Sequence, residues 1–142
     1  MTTRCIFVLV TLAAASQAEE TCPWLNAATA AGVLGAPVQM QTTKDACSFV
    51  SRHGELRIRV ETIAASHPDH CSGASEQLKA IGNEAAACAV ESKDGRMAEQ
   101  VAGSVRDQAF VITIATDDRS LSRNLLRDKT RRVAEQVAGY LF

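Results

Sequence analysis

Aromatic side chains, proline and histidine are scarce in this chain of 142 residues. Phe, Trp and Tyr together make up 4% of it, and there are three prolines and three histidines. A core must therefore be built from Ala, Val, Leu and Ile, which bury less apolar area per residue than aromatic side chains do. Cross-links between cysteines become correspondingly more important for stability.

Several function classes lack their usual sequence features here. Nucleic-acid binding favours a basic excess, whereas 15 Lys and Arg stand against 16 Asp and Glu. The chain contains no Gly-rich phosphate loop, no Gly-x-Ser-x-Gly elbow and no Ser-x-x-Lys. His53 falls in a predicted hairpin turn, where a side chain is usually solvated. No motif brings two glutamates together as the carboxylate pair that a glycosidase requires. We therefore expect no enzyme, no cofactor and no nucleic-acid partner.

The one long apolar run lies at the beginning of the chain. Arg4 precedes the uncharged run 5–15, and Ser16-Gln17-Ala18 places small residues where a signal peptidase reads. The run is too short to cross a bilayer. It predicts a secretory signal peptide over residues 1–18.

Cleavage between Ala18 and Glu19 would leave one domain over residues 19–142. A lipid anchor on Cys22 is the alternative, but Glu20-Thr21 precede it instead of small apolar residues. The remaining sequence has no second long apolar run, so we expect no membrane span. The predicted signal peptide indicates an extracytoplasmic location, periplasmic or secreted.

Four cysteines follow the predicted signal peptide: Cys22, Cys47, Cys71 and Cys88. An even count in a small exported chain predicts two disulfides. Four cysteines allow three connectivities. We favour Cys22–Cys47 with Cys71–Cys88, closing loops of about 25 and 17 residues and each adding on the order of 3 kcal/mol. Zinc is the alternative, but no Cys-x-x-Cys pair is present.

The densest set of ligand-type side chains is His67-Pro68-Asp69-His70-Cys71. Two imidazoles, a carboxylate and a thiol are able to bind Zn²⁺ or Cu²⁺. We favour a polar loop before a disulfide, because nothing in the sequence turns both rings inward. The same segment, Ser66–Ser72, is the loop that an inhibitor of an envelope or secreted enzyme would present to its target.

Hydrophobic periodicity predicts eight secondary-structure elements. Their order predicts an α+β fold, an antiparallel sheet of about five strands with helices on one face. Asn26 is expected to cap the first helix and Ser120 or Ser122 the last. The elements are a helix at 27–34, strands at 46–51 and 55–63, a helix at 73–81, strands at 85–91, 97–105 and 108–116, and a C-terminal helix.

The hexapeptide Ala-Glu-Gln-Val-Ala-Gly occurs twice, at 98–103 and at 134–139. The first copy lies in a hairpin pattern and the second continues a helical stripe of Leu and Val. We therefore predict that the first copy is a strand and the second a helix, with context overriding propensity.

Basic residues are concentrated around the last helix, where they outnumber acidic ones by five. Such a cluster is able to meet an anionic envelope surface or an acidic partner. We favour a solvated helix face, with Asp128 pairing with the arginines three and four residues later. The residues are Arg119, Arg123, Arg127, Lys129, Arg131 and Arg132, against Asp128.

Several short motifs resemble small exported modules of the PsbP/Mog1-like type, including actinobacterial lipoproteins and extracellular kinase sensor domains. They are Cys22-Pro23-Trp24-Leu25, Leu34-Gly35, Cys47-Ser48-Phe49, Ile81-Gly82-Asn83-Glu84-Ala85 and Val105-Arg106-Asp107-Gln108-Ala109-Phe110. The resemblance covers nearly all of 22–142 and implies the Cys22–Cys47 bridge and an extracytoplasmic binding or sensing role. We therefore expect an exported, non-catalytic module that binds a small molecule or an envelope protein on its sheet face or edge.

Overall fold

A computed structural model describes residues 20–65, 71 and 73–142. Two helices and seven strands follow one another there, with a short 3-10 turn at Ile63–Ala65 after the third strand. They are α1 (Ala27–Leu34), β1 (Gln39–Thr42), β2 (Ala46–Ser51), β3 (Gly54–Thr62), β4 (Ser75–Leu78), β5 (Glu84–Glu91), β6 (Met97–Val105), β7 (Gln108–Thr116) and α2 (Arg123–Leu141).

The strands form one sheet in the order β1-β2-β3-β7-β6-β5-β4, and every neighbouring pair is antiparallel. The predicted α+β class and antiparallel sheet are confirmed. The predicted number of about five strands is wrong, because the described part of the sheet has seven. The element order also differs, because two short edge strands, β1 and β4, replace predicted coil and a predicted helix.

The helix predicted over 73–81 is wrong. Ser75–Leu78 is instead strand β4, which pairs with β5 from Ser75 opposite Cys88 to Leu78 opposite Ala85. Three of its four side chains are exposed, so no apolar helical stripe exists to hold a helix on the sheet. Backbone hydrogen bonds to a neighbouring strand provide the structure here.

Both helices pack on the same face of the sheet. The strand residues of the core cluster share one side by register; for example Phe49 is opposite Leu56, and Leu56 is opposite Ile114. The buried side chains of α1 and α2, Ala30 and Val133 among them, belong to the same cluster. The predicted arrangement of helices on one face is therefore correct.

The helix ends follow the predicted caps. Asn26 Oδ1 accepts a hydrogen bond of 2.7 Å from the backbone N–H of Thr29, and Gly35 ends α1 in the left-handed region with φ 70°. Ser122, not Ser120, caps α2, its Oγ accepting from the N–H of Leu125 at 3.2 Å.

The repeated hexapeptide adopts two conformations, as predicted. Residues 98–103 lie in β6 and residues 134–139 in α2. The register of β6 places Glu99 on the helix-covered face, opposite Ile114, and its side chain is 1% exposed. The equivalent Glu135 is 46% exposed. The same six residues therefore place a glutamate in the core in one copy and in solvent in the other.

Candidate functional site

One candidate surface is the sheet face on which the described residues place no helix, and we call it the helix-free face. Its strand β3 contributes a column of four long charged side chains: Glu55, Arg57, Arg59 and Glu61. The strands beyond it present small side chains there, for example Thr113 opposite Arg57 and Ala115 opposite Glu55. Short side chains beside long ones leave a trough along the face.

One end of this trough deepens into a cleft of about 470 Å³, here called the Arg96 cleft. Glu55 and Arg57 line one side, and the turn between β5 and β6 with Arg96 lines the other. Ala98, Thr113, Ala115 and Val90 lie between them. The volume falls within the range of about 300–1,000 Å³ that is usual for ligand pockets.

Glu55 is held by groups on both of its oxygens. Its Oε1 accepts hydrogen bonds from Ser48 Oγ at 2.6 Å and from Arg57 Nη2 at 2.8 Å, while Arg96 Nη2 lies 3.9 Å from Oε2. Partial burial by itself would raise the pKa of Glu55. The hydrogen bonds from Ser48 and Arg57 and the charges of Arg57 and Arg96 outweigh it, so this pKa lies below its ordinary value.

The tight turn beside Arg96 is closed by Asp94. Ser92 Oγ donates to Asp94 Oδ1, and Arg96 Nε lies 2.6 Å from Asp94 Oδ2. The hydrogen bond from Ser92, followed by the pairing with Arg96, lowers the pKa of Asp94 to about 2. Gly95 completes the turn with φ 74°, a left-handed conformation that glycine adopts without strain. Both carboxylates beside Arg96 are therefore ionised near neutral pH.

A second cleft of about 450 Å³ lies on the other side of this turn. Asp94 and Arg96 line both clefts, and Asp118 and Arg119 line the second. Hydrogen bonds from the side chain and backbone of Ser120 lower the pKa of Asp118. The Arg96 side chain thus separates a cleft on the helix-free face from one at the end of the sheet.

The arginine-rich start of α2 is bound to the protein's own acidic residues. Arg123 Nη1 lies 2.9 Å from Glu99 Oε1, and Arg127 Nε lies 3.2 Å from Glu99 Oε2. Arg127 Nη1 also contacts Glu76 Oε2 at 3.3 Å, and hydrogen bonding to Glu99 raises the pKa of Arg127.

These contacts change the interpretation of the basic cluster. Two of its arginines neutralise a buried carboxylate, and Lys129 Nζ donates to the backbone oxygen of Val33 at 2.7 Å. The predicted pairing of Asp128 is confirmed, with Arg131 at 3.2 Å and Arg132 at 2.9 Å. A uniformly solvated helix face is therefore wrong for the first two turns of α2.

The disulfides join Cys22 to Cys47 and Cys71 to Cys88, the pairing that the sequence analysis favours. Cys47 lies on the helix-covered face, opposite Ile58, whereas Cys88 lies on the helix-free face, opposite Gln100. Two disulfides suggest an oxidising environment outside the cytoplasm.

Several predicted site residues lie outside the described residues. They include the signal peptide 1–18, the cleavage pair Ala18 and Glu19, and the ligand-type residues His67, Asp69 and His70. Of the loop proposed for an inhibitor, Ser66–Ser72, only Cys71 is described. Within the described ranges, no three His, Cys, Asp or Glu side chains are grouped so as to hold a metal ion.

Comparisons with protein-family models, with curated proteins and with solved structures gave no match to this chain. The resemblance to PsbP/Mog1-like modules therefore stays a prediction. Across the residues that the structure describes, neither helix has the length and apolar character needed to span a bilayer.

The sequence predicts a binding surface on the sheet face or edge, but nothing in it points to the Arg96 cleft. Glu55 and Arg96 are far apart in the chain. They come close in space because β3, which carries Glu55, and β6, which Arg96 directly precedes, both pair with β7. The alternation Glu55, Arg57, Arg59, Glu61 is the sequence signal that was available, since it marks one wet strand face. Which distant strand lies beside that face is a property of the strand order.

Proposed function

We propose that this protein is an exported, non-catalytic binding module that holds a protein partner on its helix-free face. The observation that carries the proposal is the face itself. Among the described residues, helices cover one side of the seven-stranded sheet, and the other side combines a charged column with an open cleft. The two disulfides support a working location outside the cytoplasm.

The chemistry of the cleft supports binding over catalysis. Catalytic acids and bases usually have pKa values shifted toward the working pH. The pKa values of Glu55 and Asp94 are instead shifted away from it, and both carboxylates are held by arginine and serine. Such groups fix charge and geometry, which suits recognition of a charged partner.

Site-specific photocrosslinking tests the proposal. A photoreactive residue at Thr113 lies on the helix-free face, and one at Gln136 lies on the exposed side of α2 as a matched control. We expect the Thr113 position to form a discrete adduct in the exported fraction, competed away by unmodified protein, and the Gln136 position to form none. Equal adducts at both positions, or adducts at Gln136 alone, would contradict the proposal.

A further inference from the structure

The Arg96 cleft presents more free hydrogen-bond donors than free acceptors. Three cations line it, Arg57, Lys93 and Arg96, and two carboxylates belong to its surface, Glu55 and Asp94. Glu91 also lines the cleft, but its register opposite Met97 directs its side chain to the helix-covered side. Three cations and three carboxylates line the cleft in all, and the cations outnumber the carboxylates by one among the side chains other than Glu91.

The two carboxylates are held by groups of the protein itself, as is Arg96, whereas Arg57 and Lys93 keep N–H donors to spare. Ser48 and Arg57 hold Glu55, and Ser92 and Arg96 hold Asp94. Arg57 uses one of its five N–H groups on Glu55 among the described residues, and its side chain is 63% exposed. Lys93 is exposed and has no hydrogen-bond or ion-pair partner in the described part of the chain. What the cleft offers a ligand is therefore N–H donors.

Glu55 occupies the place where a bound carboxylate would be expected. It lies between two guanidinium groups, with Arg57 at 2.8 Å on one oxygen and Arg96 at 3.9 Å from the other. A ligand carboxylate entering the cleft would meet the same arginines and the repulsion of Glu55. We expect an internal carboxylate at this position to lower the affinity for anions without abolishing it.

We propose that the Arg96 cleft binds an acidic segment of the protein partner, and that Glu55 sets the affinity by competing for Arg57 and Arg96. This inference rests on the proposed function and names its chemistry. A peptide segment is favoured because the cleft lies on the helix-free face, where Arg59, paired with Glu61 at 3.7 Å, follows Arg57 along β3. An extended acidic segment supplies both carboxylates and backbone carbonyls to such a row of donors.

Fluorescence anisotropy with a labelled tetraglutamate peptide tests this inference on the oxidised protein at low salt. Glu55→Gln keeps the side-chain volume and an oxygen acceptor, and we expect it to tighten binding about three- to tenfold. Arg96→Gln should weaken binding about tenfold. The matched controls are Glu135→Gln and Arg132→Gln on α2, which remove the same charges far from the cleft and should leave binding unchanged.

Three outcomes would overturn the inference. They are equal effects of Glu55→Gln and Glu135→Gln, no binding of the peptide to any variant at millimolar concentration, and tighter binding of citrate than of the peptide. Circular dichroism checks that each variant is folded. If Arg96→Gln does not fold, Lys93→Gln, in an exposed turn, is a second variant that should weaken binding. Persistence of the Thr113 photoadduct in Arg96→Gln would refute the acidic-segment inference while leaving the proposed function standing.

Discussion

Replacing Glu99 by Gln should destabilise the fold far more than the same change at Glu135. Both glutamates occupy the second position of the repeated hexapeptide, so the local sequence is identical. Glu99 is 1% exposed and receives both Arg123 and Arg127, whereas Glu135 is 46% exposed and contacts Arg131 at 3.8 Å. Glu99→Gln replaces one carboxylate oxygen by an NH₂ group, which cannot accept a hydrogen bond from the arginine that it faces. It also leaves both arginines without their buried counter-charge.

The expected magnitude follows from the exposure of the partners. Breaking a fully buried ion pair costs about 3–5 kcal/mol. Arg123 and Arg127 are 48% and 33% exposed, so water screens part of that loss and we expect about 2–3 kcal/mol. For Glu135→Gln we expect less than about 0.5 kcal/mol.

Urea unfolding with both disulfides intact measures the two free energies of unfolding directly. The comparison requires that the dependence on urea be the same for both variants, because a changed slope would indicate a changed unfolded state. Equal losses of stability at Glu99 and Glu135 would refute the reasoning, because the two sites differ in burial and ion pairing and not in local sequence.

Three further variants test other parts of the structure. In Gly103→Ala the new Cβ would lie 2.5 Å from the Glu84 carbonyl oxygen and 2.7 Å from Phe110 Cζ, so thermal unfolding should show a loss of about 1–3 kcal/mol. In Gly139→Ala the new Cβ has no atom within 4 Å, so the higher helix propensity of alanine should raise the free energy of unfolding by about 0.5–1 kcal/mol. A loss of stability in both glycine variants would contradict the close packing at Gly103. Asn26→Ala should cost about 1 kcal/mol, and an unchanged melting temperature would argue against this cap. Because folding lowers the pKa of Glu55 from 4.5, its contribution to stability is complete above pH 4.5 and is lost as the pH falls through the folded value. The wild-type protein should therefore lose stability more steeply than Glu55→Gln in acid titrations, and parallel curves would count against that shift.

The central strands and the long helix are predictable because their apolar residues repeat with a clear period. In β7, Phe110, Ile112 and Ile114 alternate with less buried residues, and all three belong to the core. The hexapeptide shows that this pattern outweighs local composition. Its two copies differ in the spacing of the surrounding apolar residues, and that spacing selects strand in β6 and helix in α2.

The edge strands were not predictable by the same argument. Gln39–Thr42 and Ser75–Leu78 are short and mostly polar, with one large apolar residue each, so neither sequence shows the apolar–polar alternation that predicts a strand. Each is a strand because it forms backbone hydrogen bonds with a neighbouring strand. β1 pairs with β2, and β4 pairs with β5. Such pairing depends on tertiary structure and leaves little mark on the four residues themselves.

The charged contacts were beyond sequence reasoning for a related reason. The composition around α2 shows an excess of arginine, but the partner of Arg123 and Arg127 is Glu99, in a strand whose register decides which face it occupies. A glutamate on the apolar side of a predicted strand was the available sign of a buried ion pair. The Arg96 cleft likewise depends on the strand order.

Backbone amide chemical-shift mapping with the tetraglutamate peptide tests the central claim most directly. Because the proposed ligand site lies on the helix-free face, the perturbed amides should cluster at 55–57, 92–98 and 113–115. The competing anionic site is the basic surface of α2 around Arg131 and Arg132. A cluster of shifts at 127–135, with the helix-free face unchanged, would contradict the account.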